Sequence, residues 1–162
     1  MWIEINFHLI LSSNKVHMEI KVLQSKKEML KSFGILLEVY PSLKIEEYSN
    51  ELDIMIPNNY GQVGVFIDNE CVALTGYWIG SKLWCGKYLE LDNVVVAEKH
   101  RSKGLGKILF DYMEDMGKKE NCTMLALDSY TTNFKAHKFF YSQDYAPRGF
   151  HFINILDKSK VR

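Results

Sequence analysis

The sequence predicts an α/β domain, and three observations carry that prediction. Runs of alternating apolar and polar residues mark strands, apolar residues at helical spacing lie between them, and one stretch passes abruptly from strand to basic loop to helix. That stretch is Leu91 to Lys107, LDNVVVAEKHRSKGLGK. Leu91, Val94, Val95 and Val96 form a short apolar, largely β-branched run, the composition of a buried strand. From Leu105 the apolar residues Leu105, Ile108, Leu109, Tyr112, Met113 and Met116 fall on one helical face.

Near the N-terminus, Ile3, Ile5, Phe7, Leu9 and Leu11 alternate with Trp2, Glu4, Asn6, His8 and Ile10, which is strand periodicity. The segment lacks a basic start and carries Glu4, so it does not read as a signal sequence. After a turn at Ser12 to Lys15, a second alternating run, Val16, Met18, Ile20 and Val22, can pair with the first as a hairpin. Ser25-Lys26-Lys27-Glu28 is a capping box, and Met29, Leu30, Phe33, Leu36, Leu37 and Tyr40 continue it as a helix that Pro41 stops. A second helix runs through Ile45, Tyr48, Leu52 and Met55 to Pro57. Glu46, Glu47, Glu51 and Asp53 make it acidic, either as an attraction for a cationic ligand or as a solvated face.

Val63 to Ile67, the turn Asp68-Asn69-Glu70, and Val72 to Trp78 read as an antiparallel hairpin. Tyr77, Trp78, Trp84 and Tyr88 gather near its end, lining a tunnel or packing on the sheet. Tyr88 to Val96 is the central strand.

With 162 residues, 47% hydrophobic and 25% charged, the chain has the size and composition of one globular domain, 1–162, with 1–17 either an extra N-terminal strand or a start-site extension. Twenty basic and twenty acidic residues cancel, which gives bulk charge no part in nucleic-acid binding. Cys71, Cys85 and Cys122 are odd in number and lack C-x-x-C spacing, which suits buried thiols in a cytoplasmic protein without a disulfide framework or metal. No apolar run reaches the length of a membrane span.

Charge makes the loop informative. Lys99, His100, Arg101, Lys103 and Lys107 crowd a helix N-terminus that is already positive, an arrangement that costs stability unless an anion sits there. Gly104 and Gly106 let the backbone approach such an anion, so the loop reads as a phosphate site. A Walker A loop would need a hydroxyl after its lysine, and Lys107 is followed by Ile108. A dinucleotide fingerprint would need a small residue where Leu109 stands.

The pattern Arg101-Ser102-Lys103-Gly104-Leu105-Gly106 behind a valine strand instead resembles the R-x-x-G-x-G/A loop of the GNAT superfamily of N-acetyltransferases. Met124 to Leu127, ending in Leu127-Asp128-Ser129, is similar to the family's next parallel strand. Asn133 to Tyr141 resembles its N-x-x-A-x-x-x-Y helix, and Gly149 to Phe152 its final hairpin strand. The resemblance covers roughly Glu19 to Ile155.

It implies a mixed, mostly antiparallel sheet, splayed near Val95 and Leu125, with helices on both faces. The activity implied is transfer of an acetyl group from acetyl-CoA to a primary amine, without a metal. The residues implied to hold the coenzyme are the amides of Val94, Val95 and Val96, the loop Arg101, Ser102, Lys103, Gly104, Leu105, Gly106 and Lys107, and Asn133 and Phe139. The expected partners are a small-molecule or peptide amine acceptor and a second copy in a homodimer, with no nucleic acid and no membrane.

An alkylammonium with a pKa near about 10.4 must lose a proton before it can attack. Glu90 and Asp92, two apart on the central strand, share a face unless a bulge intervenes. Glu90 stands, relative to the loop, where the resemblance places some members' general base. The bland reading of both is a pair of strand-end carboxylates bonded to neighbouring loops.

One departure stands out: Phe140 occupies the position where the family pattern has a tyrosine to protonate the leaving thiolate. Tyr141 is adjacent but turned by about 100° on a helix, and is the remaining candidate acid. Asp144-Tyr145 also replaces the usual Gly-Phe. Loss of the acid leaves a rival reading, a non-catalytic acyl-CoA-binding or regulatory module. His137 and His151 have no metal-ligand partners at useful spacing and read as structural.

Overall fold

A computed structural model of the chain describes residues 5–7 and 17–161. It forms two compact units, Met1–Leu127 and Asp128–Arg162. The first holds a six-stranded sheet in sequential order: β1 (Ile5–Phe7), β2 (Met18–Leu23), β3 (Tyr60–Ile67), β4 (Glu70–Lys82), β5 (Gly86–Val96) and β6 (Met124–Leu127). Every neighbouring pair is antiparallel except β5 and β6, which are parallel. The N-terminal hairpin is present, with Ile5 opposite Ile20. The rest of its first strand, and its turn, lie outside the described residues.

The β3–β4 connection is a two-residue turn in which Asp68 and Asn69 both take positive φ, 48° and 68°. Aspartate and asparagine tolerate that region, and the resulting twist matches the flanking strands.

The helix expected from Ser25 to Tyr40 is instead two short ones, α1 (Lys26–Lys31) and α2 (Phe33–Leu36). The capping box at Ser25 and Glu28 forms as the sequence indicates. Ser32 breaks the run: it is buried at the junction with φ −91° and ψ 6°, outside helical geometry, and lies near the Cys71 thiol. Tertiary contact overrides helical periodicity there. Next, α3 (Ile45–Met55) buries Tyr48 and Leu52. These helices cover one face of the sheet, with α1 on β2 and α2 on β4 and β5. Their core joins Met29, Ile35, Leu36, Tyr48 and Leu52 to Leu23, Tyr60, Leu74 and Val95.

The opposite face is covered by α4 (Leu105–Lys119), which packs on β3, β4, β5 and β6. Leu109 and Met113 are wholly buried beneath it, each contributing about 1.5–3 kcal/mol of burial.

In the second unit, Asn133 caps α5 (Phe134–Ser142), its side chain accepting from the Ala136 amide. The helix ends at Asp144, whose φ of 62° supplies the left-handed conformation that a glycine usually provides. No strand forms at Gly149 to Phe152, contrary to expectation. Alternating apolar residues become a strand only with a ladder partner, and here Phe150 and Phe152 are exposed and contact each other at 6.2 Å.

Candidate active site

The site is organised by an irregularity in β5. Asp92 lies opposite Gly76 and Val95 opposite Leu74, so β5 advances three residues where β4 advances two. This is a β-bulge, and Asn93 within it takes φ 54°. Beyond Leu91, β5 also loses its other neighbour, because β6 pairs with it only from Tyr88 to Leu91. The sheet is therefore splayed: among the described residues, Asp92 to Val96 has β4 along one edge and no strand along the other.

Glu90 lies opposite Trp78 and Asp92 opposite Gly76, so both carboxylates are on the face that carries α1 to α3. The bulge begins only after Asp92 and leaves their shared face intact. The Trp78 indole donates to the Asp92 carboxylate at 3.4 Å, and the buried Thr75 hydroxyl reaches the Asp92 carbonyl at 3.2 Å.

Around these lie residues the sequence did not single out. The Tyr40 hydroxyl donates to Asn93 Oδ1 at 2.6 Å. The Tyr60 ring stacks at a tilt 4.9 Å from Trp78. Burial, with the nearby Asp92 carboxylate and Tyr48, holds the Tyr60 hydroxyl protonated far above the usual tyrosine range, while a hydrogen bond from Gln62 acts the other way. The faint signals for this group were polar residues inside apolar runs, Gln62 in β3 and Asn93 before the valines.

Past Val96 the chain makes a 3-10 turn at Glu98–His100 and enters the basic loop. Ser102 has φ 59° and Gly104 φ 82°, with Gly104 in the N-cap position of α4. A side chain at Gly104 would meet nothing within 4 Å, so conformation rather than crowding calls for glycine, and the space above the loop is open. Among the described residues, the amides of Ser102 to Lys107 donate to no protein acceptor. They form a row of donors at a helix N-terminus, which fits a pyrophosphate.

The cations are less exposed to one another than the sequence implied. Lys99 pairs with Glu70 at 2.7 Å, Lys107 with Asp111 at 2.7 Å, and Arg101 with Glu38 at 2.9 Å. These carboxylates offset much of the repulsion that would otherwise require an anion. Glu38 also accepts from the Glu98 amide at 3.2 Å, and Arg101 Nε donates to the Val96 carbonyl at 3.1 Å. Arg101 thus holds the loop to the strand it follows. A groove of about 900 Å³, lined in part by Lys31, Ser32, Glu38 and Glu70, borders the start of this loop at Glu98 and Lys99 and contains neither Glu90 nor Asp92.

Asn133, Phe139 and Tyr141 belong to the second unit. The Phe139 ring meets Phe140 edge-on at 5.9 Å, and Tyr141 is 58% exposed where Phe140 is half-buried, so the two point in different directions. His137 Nε2 lies 2.9 Å from the Tyr130 carbonyl, and His151 Nδ1 2.5 Å from Asp128.

The model of the acetyltransferase (GNAT) family matches residues 28–145, from α1 to three residues past the end of α5. The chain belongs to the GNAT family. An uncharacterized N-acetyltransferase of Bacillus subtilis (strain 168), YhdJ, is 30% identical over 126 residues, covering 77% of this chain and 87% of its own. Among solved structures, an aminoglycoside N-acetyltransferase, AAC(6')-Iy, in complex with CoA is similar with a TM-score of 0.76 at 15% identity. That match covers 92% of this chain and 99% of the other. The glucosamine-6-phosphate N-acetyltransferase of Arabidopsis thaliana follows the same fold with a TM-score of 0.68 at 19% identity, covering 86% and 99%. For this GNAT chain, the splayed strands and the amide-lined loop are therefore features of an acetyltransferase fold.

Proposed function

We propose that this protein transfers the acetyl group of acetyl-CoA to a primary amine. The observation that carries the reading is the open edge of β5 at its bulge, which leads directly into the unpaired amides of Ser102 to Lys107. When bound, acetyl-CoA supplies a thioester whose carbonyl carbon accepts the amine lone pair. The loop amides face the pyrophosphate, and Gly104 lets it approach. The Val95 amide is turned to Leu74 of β4, so the amides of Val94 and Val96 are the ones that would meet the negative charge gathering on the acyl oxygen, and being fixed beforehand they would need little reorganisation.

The proton of the ammonium goes to a carboxylate of β5, directly or through a water. Asp92 is the better placed of the two, since it adjoins the bulge and contacts Trp78, whereas Glu90 lies one pleat further from the open edge. The departing thiolate, with a thiol pKa near about 8.5, is a tolerable leaving group that can take its proton from water. Replacement of the expected tyrosine by Phe140 favours a second reading, coenzyme binding without turnover.

Calorimetric titration with acetyl-CoA, with NAD and ATP as controls, tests the coenzyme assignment. Release of free thiol in the presence of a panel of amines tests turnover. Selective binding with amine-dependent thiol release is expected. Binding without release by any amine would favour the module, and failure to bind would remove both readings.

A further inference from the structure

A glutamine is out of place at position 62. Its side chain is fully buried in β3, and its Oε1 has no hydrogen-bond partner among the described residues. Burying an unpaired amide oxygen costs about 1–3 kcal/mol, and an apolar side chain facing Leu23 and Leu74 would avoid that cost. Whichever way the amide is turned, one end bonds two tyrosines and the other is left over. What the bonded end does must account for the residue. Gln62 Nε2 donates to the Tyr48 hydroxyl at 2.8 Å and to the Tyr60 hydroxyl at 3.0 Å.

Tyr60 in turn crosses a whole strand. A Cβ at Gly76 of β4 would lie 2.3 Å from the Tyr60 hydroxyl and 2.8 Å from its ring, so the ring fills the space above that glycine. It thereby reaches from β3 over β4 towards β5, where its hydroxyl lies near Asn93 and the Asp92 carboxylate and its ring stacks on Trp78, the donor to Asp92. Asn93 is gripped by Tyr40, which follows α2. The residue that carries the left-handed backbone of the bulge is bonded by Tyr40 and has Tyr60 beside it.

We infer that Gln62, Tyr60, Asn93 and Tyr40 form one hydrogen-bonded clasp that fixes the β5 bulge and so sets the positions of the Asp92 carboxylate and the Val94 amide. This rests on the reading that the acyl group reacts at the bulge. The four are positioning residues. None has to touch the reacting atoms. A displacement of about 1 Å at such a place lowers turnover on the order of 100-fold.

The test uses Gln62→Met and Tyr60→Phe, which remove hydrogen bonds while keeping shape. Three experiments are made: hydrogen exchange of the Asn93 and Val95 amides in the free protein, titration for the acetyl-CoA dissociation constant, and steady-state kinetics for kcat and KM with an acceptor amine. In both variants exchange at Asn93 and Val95 is expected to quicken by about tenfold or more while Leu89 and Leu91 stay protected. The kcat falls about 10- to 100-fold with acetyl-CoA affinity within about twofold. Gln62→Met melts no lower than the parent, which a merely structural role would not allow. Unchanged exchange in both variants overturns the clasp, and faster exchange with unaltered kcat overturns its part in transfer. A parent protein that binds no acetyl-CoA refutes the proposed function instead, since exchange reads the clasp with no ligand present.

Discussion

The basic loop and the bulge are built in opposite ways, although both follow from one strand. The loop is exposed at Arg101 to Gly104, gathers its donors from consecutive residues, and relies on backbone amides. The bulge is fixed by side chains, two of them buried, and they come from far apart, with Tyr40 and Asn93 separated by 53 positions. An anion with three or four oxygens tolerates small shifts and can be met by any row of N–H groups. A reacting carbonyl tolerates little, so its surroundings are held by bonds that cannot relax into water. Local chemistry suffices to bind, and long-range packing is recruited to place.

The largest effect should come from breaking the loop. Gly104→Glu puts a negative side chain at φ 82°, in the space open to the pyrophosphate. Acetyl-CoA binding is expected to weaken by at least about 100-fold while circular dichroism stays that of the parent. Undiminished binding would take the loop out of the site.

Next comes the carboxylate beside the bulge. Asp92→Asn should lower kcat by about 10²- to 10⁴-fold with acetyl-CoA affinity preserved, and Glu90→Gln should do less. The reverse order would assign the proton to Glu90.

The buried side of the comparison is sharpened by pH. Burial pushes the Tyr48 hydroxyl up to about 12, and Tyr60 rises further for the same reason. Unfolded tyrosine ionises near about 10, so the unfolded chain releases these protons first. Their contribution is complete below about pH 10 and is lost at about 1.4 kcal/mol per pH unit per tyrosine as pH rises towards the folded values. Denaturant titrations from pH 9 to 12 should show that slope, and Tyr48→Phe should make it shallower. An unchanged slope would mean that Tyr48 is not held neutral.

The smallest effect belongs to the exposed rim. Lys107→Ala removes an i,i+4 pair with Asp111 and should change stability by less than about 0.5 kcal/mol. It should weaken acetyl-CoA binding by a few-fold at low salt and less at high salt. A salt-independent loss would argue that Lys107 acts through structure.

The same contrast explains what could be read from the sequence. The Ser25 capping box, the periodicity of α3 and α4, the Asp68-Asn69 turn and the R-x-x-G-x-G loop each depend on residues within a few positions of one another, and all are present. The break at Ser32 was hidden because the surroundings that bury it, Cys71 among them, come from a distant strand. Asn93 and Gln62 drew no reading from the sequence because their meaning lies in partners brought near by strand register. The carboxylates that pair with Lys99 and Arg101 were invisible for the same reason, since Glu70 and Glu38 arrive through the fold.

Tyrosines lying over glycines have a consequence for folding fidelity. Besides Tyr60 over Gly76, Tyr77 lies against Gly61 and Tyr88 against Gly80, close enough that a methyl group at any of these glycines would collide with the ring. A strand that slips by two residues keeps its inward and outward faces, so hydrophobic patterning alone does not reject it. Here such a slip between β3 and β4 would drive the Tyr77 ring into a residue that has a side chain. The glycines act as proofreading marks that let only one alignment of the sheet close.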